Sequence, residues 1–302
     1  MRVQRRRIGV YGVCRDEHDR VLLVHGSDGD YWLLPGGGVE HGEAPAAALV
    51  REFAEETGLR IAVRRARGVL FNLIAQPDEL LHRDRIVYDV EVVGGELRAE
   101  ADGTTDAVRW FIPAELAELR VTSFTAGTLG AGIVDHPDPV DPAELIADSA
   151  PASAAEPVTH VQRFAAYGLA TDPADRILLT RIAPGYPGAG TWHLPGGGTD
   201  FGEPATVGLA RELAEETGQI GTVGDLLAIE HFHNPAAYGP EKRPIDWHTV
   251  RSVFRVIVTM PTDPIVHDLG GSTDAAAWFT RSELGVLNLN RLARTVISDS
   301  WR

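Results

Sequence analysis

GGVEHGEAPAAALVREFAEETGL, Gly37 to Leu59, decides how this chain is read. The turn Pro35-Gly36-Gly37-Gly38 leads to Glu43, and a helical run from Pro45 carries Arg51, Glu52, Phe53, Glu55 and Glu56 before stopping at Gly58. Proline suits the first helical turn, where its missing N–H costs nothing. Ala46, Leu49, Val50, Phe53 and Thr57 recur at helical spacing and are expected to face a core. At about 100° per residue, Glu52, Glu55 and Glu56 share the opposite arc. Like charges so placed repel by about 0.2–0.5 kcal/mol per pair. A divalent cation would convert that repulsion into binding, because hard ions take oxygen ligands and are shared with substrate phosphates. The competing reading is a solvated acidic face.

A second copy decides between them. Gly197 to Gln219 reads GGTDFGEPATVGLARELAEETGQ, and Glu203, Arg211, Glu212, Glu215, Glu216 and Gly218 keep their places while the spacers differ. Agreement at the charged positions favours the metal reading.

On these residues the chain resembles the Nudix hydrolase family. Its signature is Gly, five residues, Glu, seven residues, Arg-Glu, an apolar residue, any residue, Glu-Glu, any residue, Gly and an apolar residue. The first copy fits throughout; the second has Gln219 at the final apolar place, where Ile220 is expected to substitute. The resemblance implies an α/β fold, two α/β/α sandwich domains each with a mixed sheet, at residues 1–135 and 158–302. Residues 136–157, rich in Pro, Ala, Asp and Ser, read as a linker able to span roughly 25 Å. The duplication implies an intramolecular pseudo-dimer.

The resemblance also implies site roles. Glu52, Glu55 and Glu56, with the Gly37 carbonyl, are expected to hold Mg²⁺ (or Mn²⁺) in the first domain. Glu212, Glu215, Glu216 and the Gly197 carbonyl are expected to do so in the second. Glu43 with Arg51, and Glu203 with Arg211, are expected to brace the loop. Family members often place a general base late in the domain, and the repeat suggests where. Glu100, Asp106 and Trp110 have the spacing of Asp268, Asp274 and Trp278, which nominates Glu100 and Asp268, with Asp106 and Asp274 as alternatives. Trp32 and Trp192 suit either base stacking or the core. The stretch His231–His248, with His231, His233, Tyr238, Lys242, Arg243, Trp247 and His248, matches no zinc spacing and reads as a substrate-binding loop. Pro235 sits where the family associates proline with ADP-ribose cleavage. Gln76–Arg85 is expected to be a shorter, acidic loop in the first domain.

Composition narrows the partners. The 302 residues are 44% hydrophobic, enough for two cores, and the net charge is −15. Such a surface repels nucleic acid polymers, whereas metal ions offset the charge of a small nucleotide. One cysteine, Cys14, forbids an intrachain disulfide and suits the cytoplasm. The basic start and the apolar run after it resemble a leader, but Tyr11-Gly12 recurs as Tyr167-Gly168, so the run reads as a domain strand. No membrane span is expected. The function implied is metal-dependent hydrolysis of nucleoside diphosphate-linked substrates, such as oxidised nucleoside triphosphates or ADP-ribose-like compounds. The alternative is a nucleotide sensor with one or both domains non-catalytic.

Overall fold

The computed structural model describes residues 2–27, 29–100, 104–134, 142–147, 149–151, 160–238, 243–268 and 270–301, with backbone alone at 142 and 144. Most of the expected linker, and Lys242, lie outside the described residues. The chain divides into two compact units, Met1–Pro157 and Val158–Arg302. Both are mixed α/β.

In the first unit the strand Arg2–Cys14 runs parallel to Glu79–Gly95 and antiparallel to the short strand Gly36–Gly38. Leu59–Ala75 then pairs antiparallel with Glu79–Gly95. A smaller sheet joins Trp32–Leu33, Val21–Gly26 and Thr105–Phe111. The second unit repeats the plan with His160–Thr171, Pro244–Ile257, Gly196–Gly198 and Thr222–Tyr238. Of the expected linker, Pro142–Ala147 is helical and Ser149–Pro151 pairs in parallel with Arg2–Gln4, so part of it extends the first unit's sheet.

The box helices span Pro45–Thr57 and Ala205–Thr217. Each ends on a left-handed glycine, Gly58 at φ 70° and Gly218 at φ 67°, whose N–H returns to the carbonyl of Ala54 or Ala214. Only glycine takes that conformation cheaply. The first helix packs on the sheet through Leu49 and Phe53, and a Cβ on Gly12 would stand 2.8 Å from the Phe53 ring. That contact sets the helix rotation and corrects two expectations. Ala46 and Val50 are exposed, while Ala48 and the carboxylate-bearing Glu56 are buried.

Other expectations change too. His231–His248 is not a loop: its described residues form the two arms of a hairpin, Thr222–Tyr238 with Pro244–Ile257, in which His233 faces His248 and Asn234 faces Trp247. Backbone pairing overrides the polar composition, and Pro235 sits at a register shift between Asn234 and Ala237. Gln76–Arg85 is likewise mostly strand, with Ala75 and Glu79 bounding a tight turn. Ile220 does not replace Gln219. It is 88% exposed, while Gln219 is buried, donates to the Thr217 carbonyl and Thr262 Oγ1, and accepts from the Thr262 N–H.

Candidate active site

Each box turns its Gly-rich strand back over its helix. A backbone N–H at the turn, Gly36 or Gly196, donates to Glu56 Oε2 (2.8 Å) or Glu216 Oε2 (2.9 Å). These carboxylates are 6% and 2% exposed. Burial raises their pKa values, to about 8 for Glu56 and about 7 for Glu216, against the lowering effect of those N–H bonds. Neighbouring carboxylates push the same way.

The remaining acids are held by one arginine in each box. Arg51 donates to Glu43 through Nε (3.1 Å) and Nη2 (2.9 Å), to Glu52 (2.8 Å) and Glu55 (3.3 Å) through Nη1, and to the Gly38 carbonyl (3.1 Å). Arg211 makes the same five contacts, to Glu203 (3.0 Å twice), Glu212 (3.0 Å), Glu215 (3.0 Å) and the Gly198 carbonyl (3.2 Å). The forked pair holds Glu43 below its ordinary pKa. Burial instead raises Glu52 and Glu212.

The donor set fits a hard divalent cation. A Cβ on Gly37 would lie 2.4 Å from Glu52 Oε2, and one on Gly197 2.9 Å from the Glu212 carboxyl, so a side chain at either place would force the carboxylate away from the strand. The groups crowded there are carboxylate and carbonyl oxygens, the ligands that Mg²⁺-like ions take.

The late acids separate into two kinds. Asp106 Oδ1 lies 2.7 Å from His25 Nδ1, and Asp274 accepts from Arg181 Nε (2.8 Å). His25 and Arg181 occupy matching strand positions, so both aspartates close cross-strand pairs. Glu100 and Asp268 face the boxes instead. Each contributes charge that raises its neighbouring box glutamate, Glu56 or Glu216. The Asp268 N–H also donates to the Glu215 carbonyl (3.2 Å).

Two threonines escaped the sequence reading. Thr105 Oγ1 donates to Glu100 Oε2 (3.3 Å), whereas its counterpart Thr273 donates to Glu216 Oε1. Their equal spacing from Trp110 and Trp278 was the available signal.

The expected substrate residues are dispersed. Trp32 packs edge-on against Phe111 with centroids 4.6 Å apart, and Trp192 against Phe279 at 4.8 Å, both at the margin of a core. Tyr238 and Arg243 are exposed, next to the Tyr238–Pro244 pair that closes the hairpin ladder. Trp247 lies under the Arg163 guanidinium (5.5 Å), and His248 is buried with Nδ1 3.1 Å from Gln162 Nε2. His233 Nε2 lies 2.7 Å from Asp246. No helix among the described residues is long and apolar enough to cross a membrane.

Comparison with known proteins agrees with the repeated geometry. The sequence model of the NUDIX domain family matches twice, at residues 4–129 and 161–299. A MutT-like protein of Streptomyces ambofaciens is 34% identical over 111 residues, 37% of this chain and 67% of its own length. A putative 8-oxo-dGTP diphosphatase of Bacillus subtilis (strain 168) is 35% identical over 109 residues, 36% of this chain and 68% of its own. An ADP-ribose pyrophosphatase of Methanocaldococcus jannaschii is 37% identical over 98 residues, 32% of this chain and 56% of its own. With both units matched, the chain belongs to the NUDIX family and is a Nudix-type pyrophosphatase.

Proposed function

We propose that both units hydrolyse small nucleoside diphosphate-linked substrates with Mg²⁺, Mn²⁺ being an admissible substitute. The observation that carries this reading is the twofold occurrence of one oxygen-rich cradle, in which a buried glutamate, an arginine-braced pair of glutamates and a glycine strand converge. Glu52, Glu55, Glu56 and the Gly37 carbonyl would hold the cation in the first unit. Glu212, Glu215, Glu216 and the Gly197 carbonyl would hold it in the second. A bound divalent ion supplies charge neutralisation at the phosphate oxygens and makes water more acidic.

The protein's own groups do the rest. Glu100 in the first unit and Asp268 in the second take the proton of the attacking water. The water oxygen bonds to phosphorus, the bridging P–O bond breaks, and the leaving phosphate carries away the electron pair. Arg51 and Arg211 keep the carboxylates from splaying apart. The substrate is an oxidised nucleoside triphosphate or an ADP-ribose-like compound, a choice motivated by the names of the two curated relatives that specify a substrate.

Incubating the full chain with Mg²⁺ and a panel of nucleoside triphosphates, dinucleotides and nucleotide sugars, with products identified by mass, tests this. Nucleoside monophosphate with pyrophosphate supports a triphosphate substrate; AMP with ribose phosphate supports ADP-ribose. No metal-dependent turnover across the panel contradicts the proposal. The same reading includes intramolecular pairing of the two units, motivated by the duplication. Small-angle scattering that fits only two independently moving bodies contradicts that part.

A further inference from the structure

Two arginines at matching positions each bury an Nε–H without the acceptor that burial ordinarily demands. Arg85, on the strand Glu79–Gly95, is 8% exposed. Its guanidinium lies 4.5 Å from the centroid of Phe124 and 5.6 Å from that of Tyr11. Its Nε is fully buried with no acceptor, and no carboxylate pairs with it among the described residues. Arg251 holds the corresponding place on Pro244–Ile257. Its Nε is also buried without an acceptor, and its guanidinium lies 5.1 Å from the centroid of Phe232. Buried donors are nearly always satisfied, so the same orphan in both units needs a cause outside the unit's own side chains.

The register says where these groups stand. Arg85 pairs with Gly9, and Gly9 with Gly38 of the box strand; Arg251 pairs with Ala165, and Ala165 with Gly198. A Cβ on Gly9 would come within 3.3 Å of the Gly37 carbonyl oxygen and 3.1 Å of the Tyr11 ring. Arg85 is therefore separated from the box strand by one strand and shares the face of Tyr11, whereas the box helix packs on the other face, where Gly12 meets Phe53 and Gly37 meets Glu52. Arg7 pairs with Arg83 two residues along the same face, and neither has an acidic partner among the described residues. On a chain of net charge −15, this concentration of unpaired cations favours an anion.

We propose that Arg85 and Arg251 grip a phosphate of the substrate in the first and second unit, on the sheet face opposite the box helix. The proposal rests on the nucleotide-pyrophosphate reading above. A guanidinium offers five N–H donors in a planar fork that matches phosphate oxygens two at a time, which an ammonium does not. A desolvated setting strengthens such contacts. The same setting makes the free guanidinium a burden on the fold, so a binding role and a structural role predict opposite effects of removal.

The test is calorimetric titration of the full chain with imidodiphosphate, a pyrophosphate analogue, at fixed MgCl₂, alongside thermal unfolding. Arg85→Met with Arg251→Met should weaken binding by about 10- to 100-fold while the unfolding temperature holds or rises. Affinity within twofold of the parent overturns the inference, whatever the stability does. Should the double variant not fold, Arg85→Lys with Arg251→Lys keeps charge and stem but loses the fork. It should bind several-fold more weakly, and unchanged binding again overturns the inference. A parent that hydrolyses nucleotides yet does not bind the probe overturns this inference alone. A parent that does neither overturns the proposed function with it.

Discussion

The two units build one cradle on different supports. Beneath the first box the chain leaves the helix through Leu59, 6% exposed in the core. Beneath the second it leaves through Gln219, equally buried but hydrogen-bonded to Thr217 and Thr262. The cradle above is the same: the turn N–H on the last glutamate and the five arginine contacts recur within a few tenths of an ångström. The box geometry is thus set by its own glycines, arginine and carboxylates, and tolerates a polar or an apolar floor. The units differ where the late segment meets the box. Thr105 steadies Glu100 and leaves Glu56 with the Gly36 N–H, whereas Thr273 adds a second donor to Glu216.

The largest effect should come from removing the buried carboxyl groups. Gln in place of Glu56 or Glu216 keeps an acceptor for the turn N–H and loses the carboxylate. Glu56→Gln and Glu216→Gln should each silence one unit, and together reduce metal-dependent hydrolysis to background. Full turnover in the double variant contradicts a role for either carboxylate.

Next in size is the proposed base. In a full chain carrying Glu216→Gln, adding Glu100→Gln should lower the remaining turnover by about 10²–10⁴-fold with metal affinity nearly unchanged. In a chain carrying Glu56→Gln, Asp268→Asn should do the same to the second unit. A loss under threefold removes the residue from the mechanism.

A stability difference comes third. His193 follows Trp192 where the first unit has Leu33, and it is buried with Nε2 3.1 Å from Thr180 Oγ1. Burial lowers its pKa from 6.5 to about 4. The folded unit holds it neutral while the unfolded chain protonates it. Its contribution is therefore complete above pH 6.5 and is lost as the pH falls toward 4, by about 3 kcal/mol at most. His193→Leu should flatten that part of the acid dependence of the second unit's unfolding. An unchanged pH profile would show that His193 titrates in the fold as it does in the unfolded chain.

The smallest effect concerns Gly208, inside the second box helix where the first has Ala48. Helix propensity alone predicts a gain of about 1 kcal/mol for Gly208→Ala. A Cβ there would stand 2.7 Å from Thr199 Cγ2 and 2.8 Å from Glu203 Oε2, the latter fixed by Arg211. The substitution should therefore yield less than that gain in urea unfolding. The full gain would mean that Thr199 and Glu203 yield freely.

The sequence made the box helix legible because Pro45 and Gly58 mark its ends, and the second copy marked the acids worth following. Its rotation was not legible. Ala46 and Val50 look as apolar as Ala48, and only the fit of Phe53 against Gly12 decides which side turns inward. Burial of Glu56 was hidden for a related reason, since what satisfies it is a backbone N–H that no residue type announces. The histidine-rich hairpin read as a loop because its strand bonds are made by the backbone of neighbouring chain segments. Arg85 and Arg251 stood in the sequence as ordinary strand cations until their lack of partners became visible.

Counting bound ions is the most direct measurement of whether one chain carries two complete cradles. Titrating the full chain with Mn²⁺ and following free ion by electron paramagnetic resonance gives the number held. Glu56→Gln and Glu216→Gln should each remove about half of the tightly bound Mn²⁺, and the double variant should retain none. A single variant that keeps the parent's full complement, or a double variant that still binds tightly, contradicts the account.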